Sequence, residues 1–96
     1  MLTSKQRAYL RAMSNDMDTV LIIGKGSITK EIINQAKLVL ESRELIKGRV
    51  LETAGISARQ AADEISQSID CDIVQVIGTK FILFKKKKKD SKIILP

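Results

Sequence analysis

Histidine and tryptophan are absent from the 96-residue chain, and cysteine occurs once, as Cys71. A single cysteine cannot close an internal disulfide, and without histidine neither a Cys/His zinc site nor a histidine-based catalytic triad can be assembled. Aromatic residues are nearly as scarce: Tyr9, Phe81 and Phe84 are the whole set. The core therefore has to come from Ile, Leu, Val and Ala, and an aromatic platform for nucleic-acid bases would have only these three rings. The longest strictly apolar runs, Val20 to Ile23 and Phe81 to Phe84, fall far short of the about 20 residues a spanning helix requires. Residues 1–19 interleave charges with single apolar residues and hold no secretory h-region. A cytoplasmic protein without a membrane span is expected.

The charge is unevenly spread. Lys and Arg number 17 against 11 Asp and Glu, a formal +6, yet five of those cations are Lys85, Lys86, Lys87, Lys88 and Lys89. Without that run the chain is close to neutral, so its basic character belongs mainly to one segment. The run reads either as a solubilising extension or as a set of nonspecific phosphate contacts.

Periodicity and caps divide the chain into α-β-α-β-α-β-β, the order of an α/β domain. Thr3-Ser4-Lys5-Gln6 is a capping box opening a helix that runs to about Met13. Tyr9, Leu10 and Met13 fall on one side of it, Arg7 and Arg11 on the other, with Lys5 at the border. The apolar run Thr19 to Ile23 suits a strand buried on both faces. A helix from about Lys30 to Ser42 follows, capped by Thr29 with Ile28 and Ile33 at the positions of a hydrophobic staple. Leu45 to Leu51 alternates, Ile46, Gly48 and Val50 against Lys47 and Arg49, as a half-buried strand does. Ser57-Ala58-Arg59-Gln60 caps a helix to about Ile69. Asp72 to Ile77 and Lys80 to Phe84 then form a hairpin whose loop, Gly78-Thr79, fits a type II′ turn.

Chemistry is concentrated at Gly24-Lys25-Gly26-Ser27, between a buried strand and a helix start, where backbone N–H groups and the helix dipole can meet a phosphate. A dinucleotide fingerprint would need glycine where Thr29 stands, and the Walker pattern is absent. A G-x-x-G clamp on an RNA backbone fits if Ser27 replaces the last glycine. An ordinary tight turn would account for the same glycines. Carboxylates add nothing catalytic: Asp63 and Glu64 are consecutive on a helix and diverge, and Asp70 and Asp72 flank Cys71 at a helix end. Cys71 has no adjacent base and reads as core or rim.

Taken together, Thr3-Ser4-Lys5-Gln6-Arg7, Gly24-Lys25-Gly26, Glu44-Leu45-Ile46-Lys47, Val74-Gln75-Val76-Ile77-Gly78 and Lys92-Ile93-Ile94-Leu95-Pro96 resemble the stand-alone bacterial CRM domain of the YhbY type, over nearly the whole chain. The resemblance implies a four-stranded mixed sheet packed with helices, as in the C-terminal domain of bacterial translation initiation factor 3. It also implies RNA binding without enzymatic activity or a cofactor. Members of that family are linked to large ribosomal subunit (pre-50S) maturation in bacteria and to group II intron splicing in plant organelles. Carried over, the RNA-binding loop falls on Gly24, Lys25, Gly26 and Ser27, and the basic first-helix motif on Lys5 and Arg7.

Arg11 and Lys30 join the candidate contacts as basic residues expected around the glycine turn. Two departures from the family pattern stand out. Ser27 replaces a glycine, and Gly48 stands where a branched apolar residue is usual, which predicts a locally weakened strand. The expected organisation is an RNA-binding domain over residues 1–84 with a basic extension, 85–96, that can belong to the same domain. The expected partners are ribosomal RNA or pre-50S particles, bound by a monomer. A basic protein-interaction module and a small nucleotide-binding enzyme are the alternatives.

Overall fold

Each helix begins at the cap the sequence supplies. Thr3 Oγ1 accepts from Gln6 N–H at 3.1 Å while Thr3 N–H donates back to Gln6 Oε1 at 3.0 Å, and Ser57 and Gln60 repeat the exchange at 3.1 and 2.9 Å. Thr29 Oγ1 accepts from Ile32 N–H. The computed structural model describes residues 2–87, 91 and 93–96. In it the chain forms α1 (Ser4–Ser14), β1 (Thr19–Ile23), α2 (Lys30–Arg43), β2 (Leu45–Val50), a 3₁₀ turn (Glu52–Ala54), α3 (Ala58–Ile69), β3 (Asp72–Ile77) and β4 (Lys80–Phe84). The α-β-α-β-α-β-β order read from periodicity is the order observed.

The strands make one mixed sheet in the order β1-β2-β4-β3. β1 and β2 are parallel, joined across α2, while β4 runs antiparallel to both β2 and β3. The β3–β4 loop is the two-residue turn: Ile77 pairs with Lys80, and φ is positive at Gly78 (58°) but not at Thr79. That is the type II′ pattern.

Both faces of the sheet are covered, unequally. On one face α2 and α3 enclose the larger core, including Leu21, Ile23, Ala36, Leu40, Ile46, Ala61, Ile65, Phe81 and Leu83. On the other, Leu10 of α1 packs with Leu45, Val74, Ile82, Phe84 and Ile93. The C-terminal segment therefore supplies Ile93 to the second core, and Gln6 Nε2 donates to Pro96 O at 3.3 Å. β2 is more buried than its alternation predicts, because Leu45 enters this second core.

Two of the three aromatic rings are core. Phe81 is fully buried and Phe84 nearly so, leaving Tyr9 as the exposed ring. No stacking platform of three aromatics exists. Gly48 is also reassigned: it lies beneath the Phe81 ring, directly opposite on β4. Its missing side chain is filled space, so the predicted local weakening of β2 does not follow.

Candidate nucleic-acid interface

β1 ends at Ile23 and the chain turns at once. Gly24 O accepts from Ser27 N–H at 3.0 Å, and Gly26, third in the turn, has φ +97°. This is the hydrogen bond and dihedral pattern of a type II turn, which requires glycine at that position. Lys25 is thereby placed at the tip, exposed. Ser27 follows with φ +58°, a left-handed conformation that costs a non-glycine residue about 1 kcal/mol. The departure from the G-x-x-G pattern thus leaves the backbone in the glycine conformation. Thr29 then caps α2, whose first residue, Lys30, is exposed. Among the described residues the N–H groups of Gly26, Lys30 and Glu31 meet no acceptor. Free donors, the positive end of a 14-residue helix and two lysines converge on an anion-binding geometry, opposed locally by Glu31 in the first turn.

The other candidates sit elsewhere. Arg7 Nη1 donates to the carbonyls of Ile73 and Val74 on β3, at the register shift between Ile73 and Gln75. Its guanidinium is half-buried and ties α1 to the sheet edge. β3 is the edge farthest from β1, and Ile73 lies four residues from Ile77, the end of β3 level with the last residues of β1. By strand spacing and rise, the Ile73 backbone that Arg7 holds is roughly 20 Å from the end of β1. The first-helix motif thus meets the sheet at β3, on the edge opposite the strand that leads into the glycine turn. Lys5 and Arg11 are exposed on α1.

The lysine run starts at the end of β4 remote from the turn, since Phe84 pairs with Leu45. Lys85 Nζ donates to Ile69 O at 3.0 Å, satisfying a carbonyl at the C-terminus of α3. Lys85 N–H donates to Glu44 O and Lys87 N–H to Glu44 Oε2. Lys86 is exposed; Lys88 and Lys89 lie outside the described residues.

Sequence reasoning missed Glu44 as a structural hub. It is buried (1% exposed) with φ +67° at the end of α2, and its Oε2 also accepts from Ser91 Oγ at 2.6 Å. It missed the pairing of Lys80 with Arg49 as well. The outward alternation of Lys47 and Arg49 was visible, but their relation to Lys80 depends on strand register. Cys71 is partly buried; burial first, then the charge of Asp72, pushes its thiol up to about 11. A thiol raised in this way is a poor nucleophile at neutral pH.

Comparisons with known proteins identify the family to which the fold belongs. The sequence model described as the CRS1 / YhbY (CRM) domain matches residues 2–85. The chain is 33% identical over 96 residues to the probable RNA-binding protein YqeI of Bacillus subtilis, covering all of both chains. It is 25% identical over 91 residues to the probable RNA-binding protein PA4753 of Pseudomonas aeruginosa, covering 95% of this chain and 88% of that one. The solution structure of SAV1595 from Staphylococcus aureus superposes with a TM-score of 0.79 at 35% identity, covering both chains entirely. With the domain model spanning all four strands and all three helices, this chain belongs to the CRS1 / YhbY (CRM) domain family.

Proposed function

We propose that this protein is a non-enzymatic RNA-binding module that holds structured ribosomal RNA by its phosphates, with the turn from Gly24 to Ser27 as the central contact. The observation that carries the reading is the exposed type II turn, with Lys25 at its tip and free N–H groups running into the N-terminus of α2. The names of the relatives, as probable RNA-binding proteins, support the same class of ligand. Lys30 adds a second cation at the turn. Lys5, Arg11, Lys86 and the remainder of the lysine run add charge at separate places, where they raise affinity without reading sequence. Arg7 serves mainly to fix α1 on β3. Large-subunit precursors are the proposed partner.

Crosslinking the protein to RNA in cells and sequencing the bound fragments tests this reading, together with sedimentation at low salt. Fragments concentrated in large-subunit ribosomal RNA, and protein cosedimenting with large-subunit particles or their precursors, are expected. Protein confined to the ribosome-free pool, with no enrichment of ribosomal RNA, would overturn it.

A further inference from the structure

The sheet face that carries α1 is open at the end nearest the glycine turn, where Ser14 and Asn15 at the end of α1 border Lys47, Ile77 and Lys80. There the register aligns one row across all four strands. Ile22 on β1 pairs with Arg49 on β2, Arg49 with Lys80 on β4, and Lys80 with Ile77 on β3. Directly paired residues project from the same face. Ile22 is 48% and Ile77 63% exposed, and both cations are exposed. Lys47, two residues before Arg49 on β2, belongs to the same face one row down.

Arg49 and Lys80 are like charges facing each other across antiparallel strands, an arrangement that destabilises a sheet. Lys47 completes a triangle of cations, and among the described residues no acid lies within ion-pairing distance of it. Among the described residues the ion pair formed is Arg59 with Asp63 on α3, and Lys47, Arg49 and Lys80 make no side-chain hydrogen bond. Repulsion with no internal partner is relieved by an external polyanion. Isolated exposed isoleucines need no explanation, but here two bracket the cations within one row. They gain from a polyanion only if it also presents apolar surface. An unpaired RNA segment does so, because its phosphates can meet the cations while its splayed bases cover the isoleucines; a duplex keeps its base faces stacked inside. The row is also continuous with the glycine turn, Ile22 being two residues from Gly24.

We propose that Ile22, Arg49, Lys80 and Ile77, with Lys47 beside them, form a sheet-face contact for an unpaired RNA segment continuing from the glycine turn. The proposal rests on the RNA-binding reading above and extends it to a second surface and a class of RNA.

The test is a set of anisotropy titrations with a short unpaired oligoribonucleotide and with the same sequence as a duplex. Wild type is compared with Arg49→Gln/Lys80→Gln, Ile22→Ser/Ile77→Ser and Lys25→Gln, each also followed by thermal unfolding. Removing the facing charges relieves repulsion, so Arg49→Gln/Lys80→Gln should melt no lower than wild type. It should bind unpaired RNA roughly tenfold more weakly, with a logarithmic salt slope smaller in magnitude by about 1.5. Ile22→Ser/Ile77→Ser should weaken the unpaired strand more than the duplex. Crosslinking of the wild-type complex should place RNA on peptides from β2 and β4.

Sheet variants that bind as wild type does while Lys25→Gln is weakened would overturn the sheet contact and leave the glycine turn standing. Crosslinks restricted to the turn would overturn it equally. A wild-type protein that binds neither RNA removes the RNA-binding reading itself.

Discussion

Gly48 and Phe81 face each other across β2 and β4, and the glycine is the space the ring occupies. A Cβ added at Gly48 would overlap Cζ of the ring and stand 2.5 and 2.8 Å from Cε1 and Cε2. Neither side can give cheaply, because Phe81 is fully buried in the larger core. Gly48→Ala should therefore destabilise the protein by about 1–3 kcal/mol, the usual cost of overpacking. Pairing Gly48→Val with Phe81→Leu should recover part of the loss, so that denaturant unfolding shows a favourable coupling of about 1 kcal/mol or more. Additive losses would mean the two positions do not share this space.

Ser27 holds φ at +58° without being glycine. Ser27→Gly should raise stability, since relief of about 1 kcal/mol of left-handed strain outweighs the added freedom of the unfolded chain. Thermal unfolding measures it. A lower melting temperature would show that the hydroxyl contributes more than the backbone strain costs.

Arg7 holds two carbonyls of β3 with one guanidinium nitrogen. Arg7→Ala should cost about 1–3 kcal/mol by leaving these half-buried acceptors without their charged donor. Arg7→Lys should rescue only part, since the shorter side chain carries a more strongly hydrated ammonium to a half-buried place. RNA affinity of the folded variant should change little. A large loss of affinity at unchanged stability would return Arg7 to the RNA interface.

Ile93 is 8% exposed among Leu10, Leu45, Val74, Ile82 and Phe84, while Ser91 Oγ donates to Glu44 Oε2. Ile93→Ala should lower stability by about 2 kcal/mol or more and speed tryptic removal of the C-terminal residues. Unchanged stability and cleavage would show that the second core closes without this segment.

What could be read from the chain was local. Thr3 with Gln6 and Ser57 with Gln60 lie three residues apart, so their caps were legible before any fold was known. The turn at Gly78-Thr79 and the bounds of β1 were legible for the same reason, but burial of β1 on both faces was not borne out: β1 is an edge strand, and Ile22 on its second face is 48% exposed. The glycine turn was found because glycine, lysine and a following cap sit together in sequence. Gly48 was misread because its meaning lies on β4, and the hold of Arg7 on β3 was not legible because its partners are 66 and 67 residues away. Glu44 escaped notice because a buried acid has no sequence signature until the segment after β4 folds against it. The row from Ile22 to Ile77 exists only through register on all four strands.

The role of the glycine turn is tested most directly by the salt dependence of RNA affinity for Lys25→Gln against wild type. Lys25 is exposed at the tip, and it is a cleaner probe than Gly26, whose φ of +97° would strain any side chain. The variant should melt as wild type does and bind ribosomal RNA more weakly at low salt. Its logarithmic salt slope should be smaller in magnitude by about 0.7 to 0.9, the loss of one phosphate contact. Equal affinity and equal slope for the two proteins would contradict the assignment of the turn to the RNA backbone.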